Sequence, residues 1–167
     1  MMYSTSVETE SSPFGEDLLP IIVEKSRNMI HFVEDRLDID TYLELRRSVN
    51  FKPLTRDQAR KALDNSLYIL VAYQGGKAVG MGRIVGDGAV ICYVQDLIIR
   101  PEAQGQGIGS RLLDLLKDFV IHEGTPGTTM MFCLMCAKGR EEFYKKHGFI
   151  PRPTEDLGPG MISWLEI

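Results

Sequence analysis

No stretch of this sequence supplies the ~20 successive apolar residues that a membrane-spanning helix needs. The polar start MMYSTSVETESS also lacks the basic and apolar regions of a secretory signal. The expectation is a cytoplasmic protein with no membrane partner. Cysteine is scarce, with Cys92, Cys133 and Cys136 the three in the chain. All three lie in apolar, strand-like runs, where a buried and inert thiol is the default. Cys133-x-x-Cys136 has the spacing of half a metal site. No second pair exists, and residues three apart on a strand point to opposite faces, so no metal is expected. Basic charge is in short supply too. The 19 Lys and Arg stand against 23 Asp and Glu, a net charge of −4. That balance argues against nucleic acid as a partner and is compatible with a cationic amine. The chain has no internal repeat, no evident domain boundary and no Ser/His/Asp constellation readable from spacing.

What is present suits one domain. At 167 residues, 44% hydrophobic and 25% charged, the chain is long enough to bury a sizeable core. Residues 1–15, rich in Ser, Thr and Glu, read as a disordered leader, and 16–167 as a single domain. Residues 17–27 suit a short helix or an extension, and 29–33 a first strand followed by the acidic cluster Glu34, Asp35, Asp38 and Asp40. Thr41-x-x-Glu44 and Thr55-x-x-Gln58 are capping-box signals that open two successive helices. Residues 67–73 and 78–85, joined by Gln74-Gly75-Gly76-Lys77, predict a hairpin, and 89–99 a further strand. Gly80 and Gly82 within a strand mark a bulge or a close backbone approach.

The most informative stretch is YVQDLIIRPEAQGQGIGSRLLDLLKDFV, residues 93–120. Its first seven residues read as a core strand that Arg100-Pro101 stops. From Ile108 the apolar positions Leu112, Leu115, Leu116, Phe119 and Val120 follow one helix face. Between strand and helix, Gln104-Gly105-Gln106-Gly107-Ile108-Gly109-Ser110 delivers backbone N–H groups with no intrahelical partner to the positive end of the helix dipole. An anion such as a pyrophosphate is favoured there. Beyond Gly124, the apolar run 130–135 predicts a buried strand after a crossover helix. Residues 139–147 predict a short helix capped by Gly148, and 161–167 a last strand.

Gln104-x-x-Gly107-x-Gly109, with Phe143-Tyr144 and Gly148-Phe149 later in the chain, resembles the signature and second motif of the GNAT superfamily of acyl-CoA-dependent N-acyltransferases. The resemblance implies an α/β (α+β) fold with a mixed, mostly antiparallel central sheet flanked by helices, and an acetyl-CoA-dependent N-acetyltransferase acting by direct transfer. It implies that the pyrophosphate rests on the backbone of Gln104, Gly105, Gln106, Gly107, Ile108, Gly109 and Ser110. The pantetheine arm would then lie along the main chain of Leu97, Ile98 and Ile99. Ala137 stands where many relatives carry a pantetheine-binding asparagine. Tyr144 stands where many carry a tyrosine that protonates the leaving sulfur and contacts the cofactor.

Asp96 is the candidate base, or else a structural acceptor, with Tyr93 and Gln95 as nearby alternatives. Tyr42, Phe51, Tyr93 and the acidic cluster are the candidate substrate contacts. The acceptor would be a small-molecule amine or a protein amine. The resemblance is also compatible with a homodimer, since many members of that superfamily pair through their C-terminal strands and 161–167 is apolar enough to allow it. Two other functions fit parts of the pattern. A dinucleotide-binding module needs Gly-x-Gly-x-x-Gly and an acidic residue ending the next strand, whereas this chain has Gly-x-Gly-x-Gly and ends MMFCLM without an acid. A non-catalytic acyl-CoA sensor would keep the turn and lose the proton-handling groups, and the presence of Tyr144 argues against it.

Overall fold

The computed structural model describes residues 29–34 and 37–166. The expected leader over 1–15, the segment 17–27 and Asp35 of the acidic cluster lie outside the described residues. Alternation of period two shapes the sheet. In β2 (Tyr68–Gln74), Leu70 and Ala72 belong to one core while Ile69 and Val71 belong to another on the opposite face. Both faces are therefore buried, which requires helices on each side. The five strands lie in chain order: β1 (Ile30–Glu34), β2, β3 (Lys77–Gly86), β4 (Ile91–Ile99) and β5 (Met131–Cys133). Neighbours from β1 to β4 pair antiparallel, and β5 runs parallel to β4. This is the mixed, mostly antiparallel sheet the sequence led us to expect, and it excludes the parallel, doubly wound order of a dinucleotide-binding module. The β2–β3 turn places Gly75 and Gly76 at φ 58° and 78°, two positive values that the hairpin turn requires.

Helices α1 (Ile39–Ser48) and α2 (Arg56–Asp64) cover one face with Tyr42, Leu45, Ala59 and Leu63 packed near Val71, Met81 and Ile98. On the other face lies α3 (Ile108–Glu123), whose Leu112, Leu113, Leu116 and Val120 meet Leu70, Ala72, Val79 and Ile84. It sits close because Gly82 leaves room: a Cβ there would lie 2.6 Å from Leu116 Cδ1. A short α4 (Glu141–Lys146) ends at Gly148, whose φ of 83° confirms the expected cap. The capping box at Thr55 and Gln58 is present. The one expected at Thr41 is not, because the helix starts earlier. Asp38 is its N-cap and accepts the Thr41 amide at 2.9 Å and the Thr41 hydroxyl at 2.6 Å.

The C-terminal third departs further from expectation. The strand expected over 130–135 shrinks to three residues, and Met131 and Met135 are exposed. The cause is position: β5 forms the edge of the sheet, with no described strand beyond it. Residues 161–166 form no strand, and Met161, Ile162, Trp164 and Leu165 are exposed. Apolar alternation cannot make a strand without a neighbour to complete its hydrogen bonds. The cysteines also differ from one another, since Cys92 is buried, Cys133 half-buried and Cys136 exposed, all of them free.

One irregularity positions the site. Met81 pairs with Ile98 and Arg83 with Gln95, so Gly82 alone faces Asp96 and Leu97. Asp96 adopts a positive φ of 56° at this bulge. The extra residue switches the strand's facing: Cys92 and Val94 belong to the α3-side core, whereas Ile98 belongs to the α1–α2 side. Without the switch, the Asp96 carboxylate would face the apolar α3 core.

Candidate active site

The pairing of β4 with β5 ends at Tyr93 and Cys133. From Val94 onward β4 has no described strand on that side, and a cavity of about 620 Å³ opens along its edge. Tyr93, Val94, Gln95, Asp96, Leu97 and Ile99 of β4 form one wall. Gln104, Gly105 and Gly107 of the loop line the cavity, with Ile108, Gly109 and Ser110 in the first turn of α3. The opposite wall comes from Leu134, Met135, Ala137, Arg140, Phe143 and Tyr144, and the end nearest α1 from Val49 and Phe51.

At the loop end, Gly105 and Gly107 have φ of 79° and 77°, the second serving as N-cap of α3. An L side chain is strained in that conformation, which is why glycine occupies both positions. Gln104 ties the loop to the strand, its side-chain amide donating to the Ile99 carbonyl at 3.1 Å. Arg100 anchors the end of β4 by donating to the Ala78 carbonyl at 2.9 Å and pairing with Glu44. The amides opening α3 thus face a cavity that also holds the free edge of β4, an arrangement that favours an anion at one end of an extended ligand.

Two tyrosines line the cavity. Burial, then the nearby Cys136 and Tyr93, push the Tyr144 phenol up to about 12, so it carries its proton at neutral pH and can donate it. Tyr93 accepts the Met135 amide at 2.9 Å, which leaves its own proton available, and burial raises its phenol too.

Asp96 lies against this wall with its side chain wholly enclosed. It accepts from the Tyr42 hydroxyl at 2.6 Å, Arg83 Nε at 2.8 Å, Gln95 Nε2 at 3.3 Å and Arg46. Burial alone would raise its carboxyl, but the Tyr42 hydrogen bond and the two guanidiniums outweigh it and hold the carboxyl below its ordinary value. Arg83 also donates to the Ala62 carbonyl and Ser66, and Arg46 donates to the Lys52 carbonyl and lies over the Phe51 ring at 5.4 Å. The cluster joins α1, the end of α2, β3 and β4.

The structure brings most of the expected residues to one cavity and removes others. Leu97, Ile99, Gln104, Gly105, Gly107, Ile108, Gly109, Ser110, Ala137, Tyr144, Phe51 and Tyr93 all line it. Gln106 is exposed and off the wall, and Ile98 turns into the α1–α2 core. Tyr42 has no exposed surface and serves Asp96, so it makes no substrate contact in this cavity. Asp96 is an acceptor for four side chains, with no lone pair left facing the cavity for a substrate proton. Of the acidic cluster, Asp38 caps α1 and Asp40 pairs with Arg56 at the surface, away from the lining. The Ala137 carbonyl already accepts the Arg140 amide at 3.0 Å.

Sequence reading missed Arg46 and Arg83. The available signal was a lone arginine in β3 and a lone aspartate in β4, opposite charges isolated in apolar strands. It also missed a contact between Ser110, His147 and Asp114, where His147 lies 3.1 Å from each partner. Among the described residues no group of His, Cys, Asp and Glu gathers as a metal site, and no helix is long and apolar enough to cross a membrane.

A family model described as "Acetyltransferase (GNAT) domain" matches residues 65–151, which run from just before β2 to just after α4. A GNAT-family acetyltransferase from Streptococcus pneumoniae is 32% identical, and its structure superposes with a TM-score of 0.68 over 83% of this chain and 98% of that one. A probable acetyltransferase of unknown function from meticillin-resistant Staphylococcus aureus is 27% identical, with a TM-score of 0.73 over 82% of this chain and 100% of that one. An uncharacterized ycf52-like N-acetyltransferase of Prochlorococcus marinus is 26% identical over 145 residues, 84% of this chain and 78% of that protein.

Proposed function

The chain belongs to the GNAT acetyltransferase family, and from that premise we propose that it transfers an acetyl group directly from acetyl-CoA to a primary amine of a small molecule. One observation carries this reading: the glycine-opened N-terminus of α3, the free edge of β4 and the Tyr144 side chain share a single cavity. The loop amides suit the coenzyme's diphosphate. The main chain of Leu97 and Ile99 on the open edge of β4 suits the amides of the pantetheine arm, which would add there as a further strand does, displacing the Gln104 side chain from the Ile99 carbonyl. Ala137 contributes from the far wall through its small side chain or its amide.

In the transfer, the amine lone pair forms the new C–N bond as the C–S bond breaks. Tyr144 gives its proton to the leaving sulfur and recovers one from solvent. The amine's own proton leaves through water. Asp96 is saturated, and the raised phenols of Tyr93 and Tyr144 keep their protons at neutral pH. Turnover therefore rises with pH as the acceptor amine loses its proton.

The acceptor end offers Phe51, Tyr93, Gln95 and Met135, and no accessible carboxylate among the described residues of the lining. Behind it, two arginines share one carboxylate and leave a positive charge in excess. That combination favours an amine with an apolar body over a polyamine. The exposed apolar side chains of 161–166 and the open edge of β5 are compatible with a homodimer.

A coenzyme-release assay over monoamines, polyamines and peptide amines tests the proposal. Turnover with a small monoamine is the expected result. Bound acetyl-CoA with no turnover on any amine would overturn transfer and leave a binding module, and peptide-only turnover would replace the small acceptor with a protein one.

A further inference from the structure

The loop end of the cavity carries a side-chain relay that the transfer does not use. Ser110, in the first turn of α3, has its hydroxyl 3.1 Å from Nε2 of His147, whose Nδ1 lies 3.1 Å from the Asp114 carboxylate. The ring is held firmly. It packs on Phe143 with centroids 4.9 Å apart, and Lys117 donates to the His147 carbonyl at 3.2 Å. Its side chain is 16% exposed.

A carboxylate only accepts, so with Asp114 ionised Nδ1 carries a hydrogen whichever charge state the ring adopts. The charge state therefore decides what happens at Nε2 alone. In the neutral ring Nε2 is an acceptor, and the Ser110 proton is committed to it. Ser110 then presents only lone pairs to the loop amides' anion site. In the imidazolium Nε2 donates to Ser110 Oγ, and the Ser110 proton is released to donate to an anion.

We propose that His147 is a positioning residue that sets the direction of the Ser110 hydroxyl, so that binding of the coenzyme's diphosphate takes up a proton at His147. This rests on the acetyl-CoA reading above. The ring is faced from α3 by Asp114, which favours the imidazolium, and by Lys117, which reaches the main-chain carbonyl and opposes it. On its own helix it has Lys146 and Lys145, the latter paired with Glu142. A bound diphosphate adds negative charge on the Ser110 side and tips the balance toward uptake.

Calorimetry of acetyl-CoA binding in two buffers of different ionisation enthalpy counts the protons. The comparison is wild type against Ser110→Ala and His147→Gln, between about pH 6 and pH 8, where imidazole titrates. The wild type should take up part of a proton near neutrality. Its affinity should improve by up to about tenfold toward the acid end relative to both variants, the equivalent of one unit of coupling. Titration of the coenzyme's own phosphate is common to all three proteins and cancels in the ratio. Equal uptake and parallel pH profiles in wild type and variants would overturn the proposal, even with acetyl-CoA bound normally. If His147→Gln fails to fold, Ser110→Ala makes the same test from the other end of the relay. Absence of acetyl-CoA binding in the wild type at every pH would remove the acetyl-CoA reading and this proposal with it.

Discussion

The two sides of β4 use opposite chemistries. On the α1–α2 side, Asp96, Arg46 and Arg83 are enclosed and ion-paired with one another. On the cavity side, β4 presents main chain, Gln95 and the protonated Tyr93 phenol, and the protonated Tyr144 phenol lines the same cavity. A buried aspartate on the strand that leads into the glycine loop is an obvious candidate base. The geometry gives it a different task. The charges fix where the bulged strand lies, and the uncharged groups on its open edge line the cavity. A charged group in a low-dielectric site is worth most when it is fully paired, and full pairing is what removes it from proton transfer.

That comparison is most directly challenged by removing the shared carboxylate. Asp96→Ala leaves two arginines buried without their anion, and thermal or denaturant unfolding should show a loss of about 3–5 kcal/mol. Because the folded carboxyl sits below its unfolded value of 3.8, its contribution is whole at neutral pH and is lost as pH falls below that value. Asp96→Asn keeps the shape, and its folded fraction should turn over within a few-fold of wild type. A fall of ~10²–10⁴, the range for losing a general base, would put Asp96 back into catalysis.

On the uncharged side, Gly107→Glu sets a strained residue and a negative charge in the anion site. Calorimetry should find no acetyl-CoA binding by a protein that still folds, and normal affinity would refute the loop's role. Tyr144→Phe should lower kcat by about 10²-fold while the dissociation constant for acetyl-CoA stays nearly unchanged. Unchanged turnover would remove the phenol from the mechanism. The smallest effect belongs to an exposed ion pair. Arg56→Ala, which breaks the surface contact with Asp40, should leave the melting temperature where it was, since such pairs are solvent-screened. A large drop there would show that exposure does not separate structural charges from idle ones in this fold.

The sequence made local signals legible and long-range ones obscure. The Gly75-Gly76 turn, the Thr55 capping box and the Gly148 cap need only neighbouring residues, and all three are present. The signature loop was readable for the same reason: its glycines and the helix that follows are contiguous. Asp38 displaced Thr41 as N-cap because two good caps lay three residues apart, and periodicity does not choose between them. Tyr42 looked like a substrate contact until the bulge at Asp96 turned that carboxylate toward α1. Nothing near Asp96 in sequence announces its positive φ. Residues 161–166 show why apolar pattern alone is insufficient for a strand, since it records a tendency to pair without naming the partner. His147 and Ser110 are 37 positions apart, and only the docking of α4 on α3 brings them together.

The central claim is that the loop and the edge of β4 hold acetyl-CoA. The most direct measurement is the melting temperature of the protein with acetyl-CoA, against NAD and against no ligand. Acetyl-CoA at about 100 times its dissociation constant should add ~2.7 kcal/mol of stability and a clear rise in melting temperature, with NAD giving none. No rise with acetyl-CoA, or an equal rise with NAD, would contradict the account.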